Sequence, residues 1–344
     1  MEFMIFYISI FKPNESIKKW VYSTLTLTIL LSSFIFSFNY IIDPYNITKY
    51  NLLNIKYKFA RDDRTEKINY FKNLKKFDTI MLGSSRVYTI DPRYIDKKIG
   101  TSTYNFGLGT ATVEDLLGVL LFLKRENKLP ENLFIGVDFY TFNPDLPYNS
   151  YFLRNKELNF LSYHNYNENS FAKLFSIDAF RASIKTLKNH LFNKNKHSRF
   201  DALGWAGYYE DYSKRNLKEE ITFIKQESDK EIEKIYSSYK YRHIDNKRVA
   251  HFNRIKNICN ENNINLYLFN TPLHPILLNK LYANKSTHQA LDEFINYLKG
   301  FKNFKNLYYD KRIYNNLKNF HGSTHTSSYA GKIIVDIVFG DNNE

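Results

Sequence analysis

A three-layer α/β fold with a parallel sheet, a helical insertion and an N-terminal transmembrane helix is what this sequence predicts. Three observations lead there. Short apolar runs of strand character alternate with helix-period segments on either side of a central stretch. Residues 145–245, rich in Tyr, Asn, Lys and Glu, interrupt that alternation without a strong strand. Residues 20–38 carry no charge at all.

The N-terminal span comes first. Its 19 uncharged residues approach the ~20 needed to cross a bilayer core. The Ser and Thr hydroxyls inside it can bond back to helix carbonyls. Trp20 and Tyr22 at one end, and Tyr40 and Tyr45 at the other, suit the two interfaces. Lys12, Lys18 and Lys19 precede the span, and Asp43 is the first charge after it. The positive-inside rule then keeps residues 1–19 in the cytoplasm and sends the rest across the cytoplasmic membrane. No small-x-small cleavage site follows Phe38, so the span reads as an uncleaved anchor. The apolar run 3–11 is too short to span and is assigned to the inner surface.

Residues 39–75 read as a stalk and first helix, and residues 76–344 as the α/β domain. Strands are expected at 79–82, 103–106, 132–139, 264–270 and 307–310. Helices are expected at 92–99, 113–125, 249–261, 288–299 and 327–339. The continuous apolar run Leu133-Phe134-Ile135-Gly136-Val137 has the character of a strand inside a parallel sheet. The insertion at about 145–245 is read as a cap on the sheet edge.

Composition narrows the function. With 43% hydrophobic residues the chain can build a substantial core. The formal charge of +14 is accompanied by no long Lys/Arg run and no zinc-binding pattern, so nucleic acid is not expected as a partner. Anionic lipid headgroups or acidic surface polymers are a more natural use of the charge. The single cysteine, Cys259, excludes an internal disulfide and reads as a small buried hydrophobe. His164, His190, His197, His243, His251 and His288 show no metal-ligand spacing, and no metal or other cofactor is expected.

Four segments carry candidate chemistry. In Leu82-Gly83-Ser84-Ser85-Arg86 a strand ends in a turn that lifts a hydroxyl out of the C-terminal edge of the sheet, where α/β proteins place ligand sites. In Gly322-Ser323-Thr324-His325 a histidine stands in a small-residue turn before the closing helix. An early serine and a late histidine at loop-helix junctions suggest a nucleophile and its base. Tyr104-Asn105-Phe106-Gly107-Leu108-Gly109-Thr110 brings glycines after the second strand, where backbone can approach a bound acyl group. Gly136-Val137-Asp138-Phe139 ends the third strand, with Asn143 just beyond it. Three of the four have a structural alternative: a capped turn at Ser84 and Ser85, a strand-helix turn capped by Thr112, and helix capping or loop ordering by Asp138.

In order and spacing these segments resemble the SGNH (GDSL-like) hydrolase superfamily. The likeness is to its membrane-anchored branch, which includes lipoteichoic-acid D-alanylation proteins and alginate-type O-acetyltransferases. It runs from about residue 76 to 339, interrupted by the insertion. The resemblance implies a flavodoxin-like three-layer sheet, Ser85 as nucleophile with Ser84 as its neighbour, and His325 as base. The Gly109 N–H, or that of Thr110 after a one-residue shift, would join the Ser85 N–H in an oxyanion hole. Many members add an asparagine donor on the third strand. Here Asp138 stands at the strand end, and an ionised carboxylate cannot donate. Asn143 is the substitute if its loop folds back, and Asp138 could instead hold Arg86. His274, in a Pro-containing turn after the fourth strand, is a candidate pocket residue. The family's Asp-x-x-His spacing lets a carboxylate orient the imidazole, but in this chain Gly322 occupies the aspartate position.

The activity implied is O-acyl transfer, of acetyl in particular, or ester hydrolysis on a cell-envelope polysaccharide, beside an integral-membrane acyltransferase partner. The alternative left open by Gly322 is a non-catalytic SGNH-fold scaffold or polysaccharide-binding protein. The insertion segment Leu203-Gly204-Trp205-Ala206-Gly207-Tyr208-Tyr209 either stacks on a sugar or packs against the core.

Overall fold

In a computed structural model, the structure describes residues 14–44, 48, 52–53, 55, 62–161, 170–192, 200–206, 217–236 and 240–340. The apolar run 3–11, Lys12, Tyr45, most of the stalk before residue 62, Tyr208 and Tyr209 lie outside the described residues.

The chain divides into two compact units, residues 1–62 with 166–197, and residues 63–165 with 198–344. The first unit is built on helix α1 (Glu15–Ile42), whose 28 residues give a length of about 42 Å. It is long and apolar enough to cross a membrane. The Thr28 hydroxyl donates to the Thr24 carbonyl at 2.8 Å, so this polar group is satisfied within the helix. At the C-terminal end Asn39 is fully buried, its amide donating to the Leu174 carbonyl at 2.7 Å and its oxygen accepting from Ser183 Oγ at 2.8 Å. Ser183 belongs to a helix at Ile177–Leu191 from the insertion, whose Ala179 and Ala182 are buried in the same unit. Phe36 stacks on Phe175 with ring centroids 4.5 Å apart.

The insertion is therefore not one cap. Its residues 166–197 belong with α1, while 145–165 and 198–245 belong with the sheet. The physical reason is legible in the contacts of Asn39. A buried amide needs partners, and the 170–192 segment provides them.

In the second unit a five-stranded parallel sheet has the order β2-β1-β3-β4-β5. The strands are β1 (Thr79–Leu82), β2 (Thr103–Asn105), β3 (Asn132–Val137), β4 (Asn265–Asn270) and β5 (Phe304–Lys305). This is a doubly wound order, with its reversal between β1 and β3. Ile80 pairs with Tyr104 on one side and Leu133 on the other. Successive residues point to opposite faces: Ile80 and Leu82 enter a core with Leu117, Leu120 and Phe252, whereas Met81 and Phe134 enter a second core with Phe269, Ile334 and Val335.

Two helical layers enclose these cores. Labelling all further helices in chain order, α2 is Asp63–Lys72, α3 Pro92–Ile99, α4 Val113–Arg125, α5 the insertion helix Ile177–Leu191, α6 Leu217–Lys234, α7 Asn246–Glu261, α8 Pro275–Ala283, α9 Lys285–Lys299 and α10 Ser328–Phe339. Helices α4 and α7 pack together on the first face, and α3 and α10 on the second. Short helical turns stand at Ser150–Arg154 and Lys311–Tyr314.

Two differences from the sequence reading have clear causes. The fifth strand is Phe304–Lys305 rather than 307–310, because Tyr309 adopts φ +61° and the Asp310 N–H bonds back to the Leu307 carbonyl, a turn. Helix α8 is not among the elements expected from the sequence, which marks only a Pro-containing turn after the fourth strand. His274 accepts from the Ile276 N–H as its cap, and Pro275 supplies its first residue with a preset φ.

Candidate active site

Because β1 to β4 run parallel, the segments after Leu82, Asn105, Val137 and Asn270 all emerge at the carboxyl edge of the sheet. Gly83 makes the first turn possible. It has φ +155°, and a Cβ there would meet Val87 Cγ1 at 2.6 Å and the Gly136 carbonyl at 3.0 Å. A side chain at this position would push β1 from β3.

The next two serines divide the work. Ser84 is buried, and its Oγ accepts from the Arg86 N–H at 3.2 Å, capping a single 3₁₀ turn over Ser85–Val87. Ser85 is half-buried, with its Oγ 2.9 Å from His325 Nε2. The structure thus brings together residues 240 positions apart in the chain.

His325 reaches this point from a small antiparallel hairpin. Strands β6 (Phe320–His321) and β7 (His325–Thr326) pair His321 with His325 across a three-residue turn, Gly322, Ser323 and Thr324. Gly322 has φ +75°, the left-handed region in which an L side chain is strained. Ser327 caps the following helix, its Oγ accepting from the Ala330 N–H at 3.2 Å. His325 Nδ1 lies 3.0 Å from Thr324 Oγ1. For Ser85 to give its proton to Nε2, the ring must carry its own proton on Nδ1, and the Thr324 hydroxyl is placed to accept it.

Helix α6 contributes two carboxylates that the sequence reading did not single out. Glu227 Oε2 accepts the Ser323 N–H at 2.5 Å. A Cβ placed on Gly322 would lie 2.2 Å from that same oxygen. One turn later Glu231 stands 3.9 Å from Arg86 Nη2. Burial raises the carboxyl of Glu231 above its ordinary range, with Glu227 and Asp138 adding to the rise and Arg86 opposing it. The available signal was a pair of acids four apart on a Lys/Glu-rich helix, which reads equally well as a solvated face.

The remaining candidates have structural partners. The Gly109 N–H donates to Asp63 Oδ2 at 3.1 Å, which commits the donor proposed for the oxyanion. Among the described residues no hydrogen bond involves the Thr110 or the Ser85 N–H. Asn143 is buried and does not present its amide to the serine. Nδ2 donates to the Ile235 carbonyl at 2.9 Å, and Oδ1 accepts from the Asp145 N–H at 3.0 Å.

Asp138 does what its sequence alternative proposed, holding Arg86 by an Oδ1–Nη1 contact of 3.1 Å and accepting from the Thr271 hydroxyl. The Arg86 guanidinium also lies 5.0 Å from the Tyr140 ring centre. His274 is buried, with its backbone N–H on the Ser323 carbonyl at 2.9 Å and its ring against Phe320. Burial lowers its pKa to about 4, so it is a neutral brace for the hairpin turn. Trp205 donates from Nε1 to the Thr89 carbonyl at 3.3 Å, and the Leu203 carbonyl accepts the Asn105 N–H. The described part of that insertion segment packs beside β2. No group of three or more potential metal ligands occurs among the described residues.

No protein-family model matches this chain, and no curated protein sequence matches it. The site itself presents a partly accessible serine hydroxyl on an imidazole, at the carboxyl edge of a parallel sheet. That pair can accept an acyl group on oxygen and return it to a second hydroxyl or to water.

Proposed function

We propose that this protein is a membrane-anchored, extracytoplasmic SGNH-like serine O-acyl transferase or esterase acting on a cell-envelope polysaccharide, with acetyl as the acyl group. The observation that carries this reading is the 2.9 Å approach of Ser85 Oγ to His325 Nε2. His325 Nε2 takes the hydroxyl proton as Ser85 Oγ attacks the ester carbonyl, and the Ser85 N–H, which carries no hydrogen bond among the described residues, is the donor assigned to the developing oxyanion. The leaving hydroxyl takes the proton back from His325, and an acyl-Ser85 ester remains. A sugar hydroxyl or water, deprotonated by the same nitrogen, then releases the acyl group. Preference for a sugar acceptor, and for an integral-membrane acyltransferase as donor partner, rests on the family resemblance of the motifs. Placement outside the cytoplasm rests on α1 and on the lysines that precede it, with Asp43 beyond.

The test is labelling of the full-length chain, in detergent micelles, by a fluorophosphonate probe that reacts only with an activated serine. Labelling lost in Ser85→Ala and retained in Ser84→Ala is the expected result. No labelling of wild type would instead favour a non-catalytic SGNH-fold scaffold or polysaccharide-binding protein. Location is read separately: alkaline phosphatase fused after Glu344 should be active, whereas a fluorescent, phosphatase-negative fusion would place the C-terminus in the cytoplasm.

A further inference from the structure

We infer that Glu227, on insertion helix α6, is the anionic positioning residue for His325, standing where position 322 has no side chain to offer. This rests on the acyl-transfer reading for its catalytic meaning, but its geometry is independent of that reading.

A serine-histidine pair gains from a nearby fixed anion for two reasons. The anion favours the imidazolium that forms when the proton leaves serine, and it helps hold the ring in the productive orientation. The turn that carries His325 provides no such group from its own residues: Gly322, Ser323 and Thr324 are uncharged, and Thr324 Oγ1 is a neutral acceptor for Nδ1.

Glu227 fills this gap from outside the hairpin. In an aspartate, the carboxylate oxygens stand about 2.4 Å from Cβ by ordinary bond lengths. Glu227 Oε2 lies 2.2 Å from the Cβ that position 322 would have. A carboxylate oxygen therefore already lies about as far from that Cβ as the oxygens of an acid three residues before His325 would. The hydrogen bond from the Ser323 N–H at 2.5 Å fixes it there, and the left-handed φ of Gly322 leaves room for it. The His274 backbone braces the same turn through the Ser323 carbonyl.

Other charges surround the pair. Glu231 and Lys234 share α6 with Glu227, Arg86 and Asp138 form the buried pair behind Ser85, and His321 stands across the hairpin from His325. Asp138 is already matched by Arg86. Among the described residues, Glu227 is the carboxylate hydrogen-bonded to the turn of the base.

The experiment compares wild type, Glu227→Gln and Glu227→Asp as full chains in micelles. Glutamine keeps an oxygen for the Ser323 N–H and removes only the charge. The first readout is the His325 titration midpoint by NMR, assigned with His325→Gln. It should fall by about one pH unit in Glu227→Gln and stay closer to wild type in Glu227→Asp. The second readout is the fluorophosphonate labelling rate against pH. It should drop at least tenfold in Glu227→Gln, with its rising limb moved to lower pH.

A midpoint and labelling rate unchanged in folded Glu227→Gln would overturn the inference and leave Glu227 as a turn anchor. Should Glu227→Gln not fold, Glu227→Met decides in its place: a lowered midpoint supports the assignment and an unmoved one overturns it. Absence of labelling in wild type would sink the acyl-transfer reading while the midpoint comparison still judges Glu227.

Discussion

Placing an aspartate at position 322 should damage this protein rather than improve it. On sequence grounds Gly322→Asp completes an Asp-x-x-His spacing, and a well-oriented acid can matter by ~10⁴ in rate. The structure reverses the expectation. Gly322 has φ +75°, where a non-glycine residue costs about 1 kcal/mol or more. Its new Cβ would lie 2.2 Å from Glu227 Oε2 and 3.0 Å from Cδ, so the turn or the Glu227 side chain must move. Two carboxylates roughly 4 Å apart then repel by about 1 kcal/mol in water and about 4 kcal/mol near a protein surface. The combined loss is on the order of 2–5 kcal/mol, and a domain of this size loses about 2–4 °C in Tm per kcal/mol.

The assay is thermal unfolding of Gly322→Asp, Glu227→Gln and the double variant at pH 8 and pH 5. The double variant should recover part of the loss, because the amide removes the repulsion but not the backbone strain. The loss should also shrink at pH 5, as one of the two carboxyls takes a proton. A Gly322→Asp protein that melts with wild type and labels faster would refute the placement of Glu227.

Two further outcomes follow from buried charge. Asp138→Asn should destabilise by about 1–3 kcal/mol, because Arg86, only 5% exposed, loses its charged partner at 3.1 Å while keeping Glu231 at 3.9 Å and the Tyr140 ring, and denaturant unfolding measures the loss. His274, held neutral with a pKa near 4 against an ordinary 6.5, takes a proton in the unfolded chain before it does in the folded one. Its contribution is therefore lost as pH falls from about 6.5 to 4, by about 3 kcal/mol. His274→Asn keeps a cap for helix α8 and removes the titration, so its unfolding free energy should vary less over that window.

Much of the fold was legible because local pattern and final environment agree. The helix expected at 92–99 is α3, between Asp91 as cap and Gly100 in the left-handed conformation, and the helix expected at 113–125 is α4. After their first residues, Thr79 and Asn132, strands β1 and β3 are continuous apolar runs because both of their faces are covered. The strand expected at 307–310 failed because Tyr309 turns the chain, and nothing in local composition marks a tyrosine for a left-handed φ. Ser85 was legible from the Gly-Ser-Ser turn, and His325 from its small-residue neighbours. Gly109 was a sound expectation for backbone donation until α2 placed Asp63 on its N–H, 46 residues away in sequence.

Periodicity and turn chemistry within a few residues were enough to mark β1 to β4, helices α3, α4, α7, α9 and α10, the apolar N-terminal helix and the two residues that meet in the structure, but not α8 or the β6–β7 hairpin. What surrounds that pair depends on contacts between distant segments. Those contacts divided the insertion between the two units and matched Arg86 to Asp138. They also carried Glu227 from a helix with no local mark of function to the empty place beside Gly322. Such partners are selected by burial and charge balance across separations of 50 to 100 residues. A one-dimensional pattern specifies which faces are apolar, but not which carboxylate arrives at a turn.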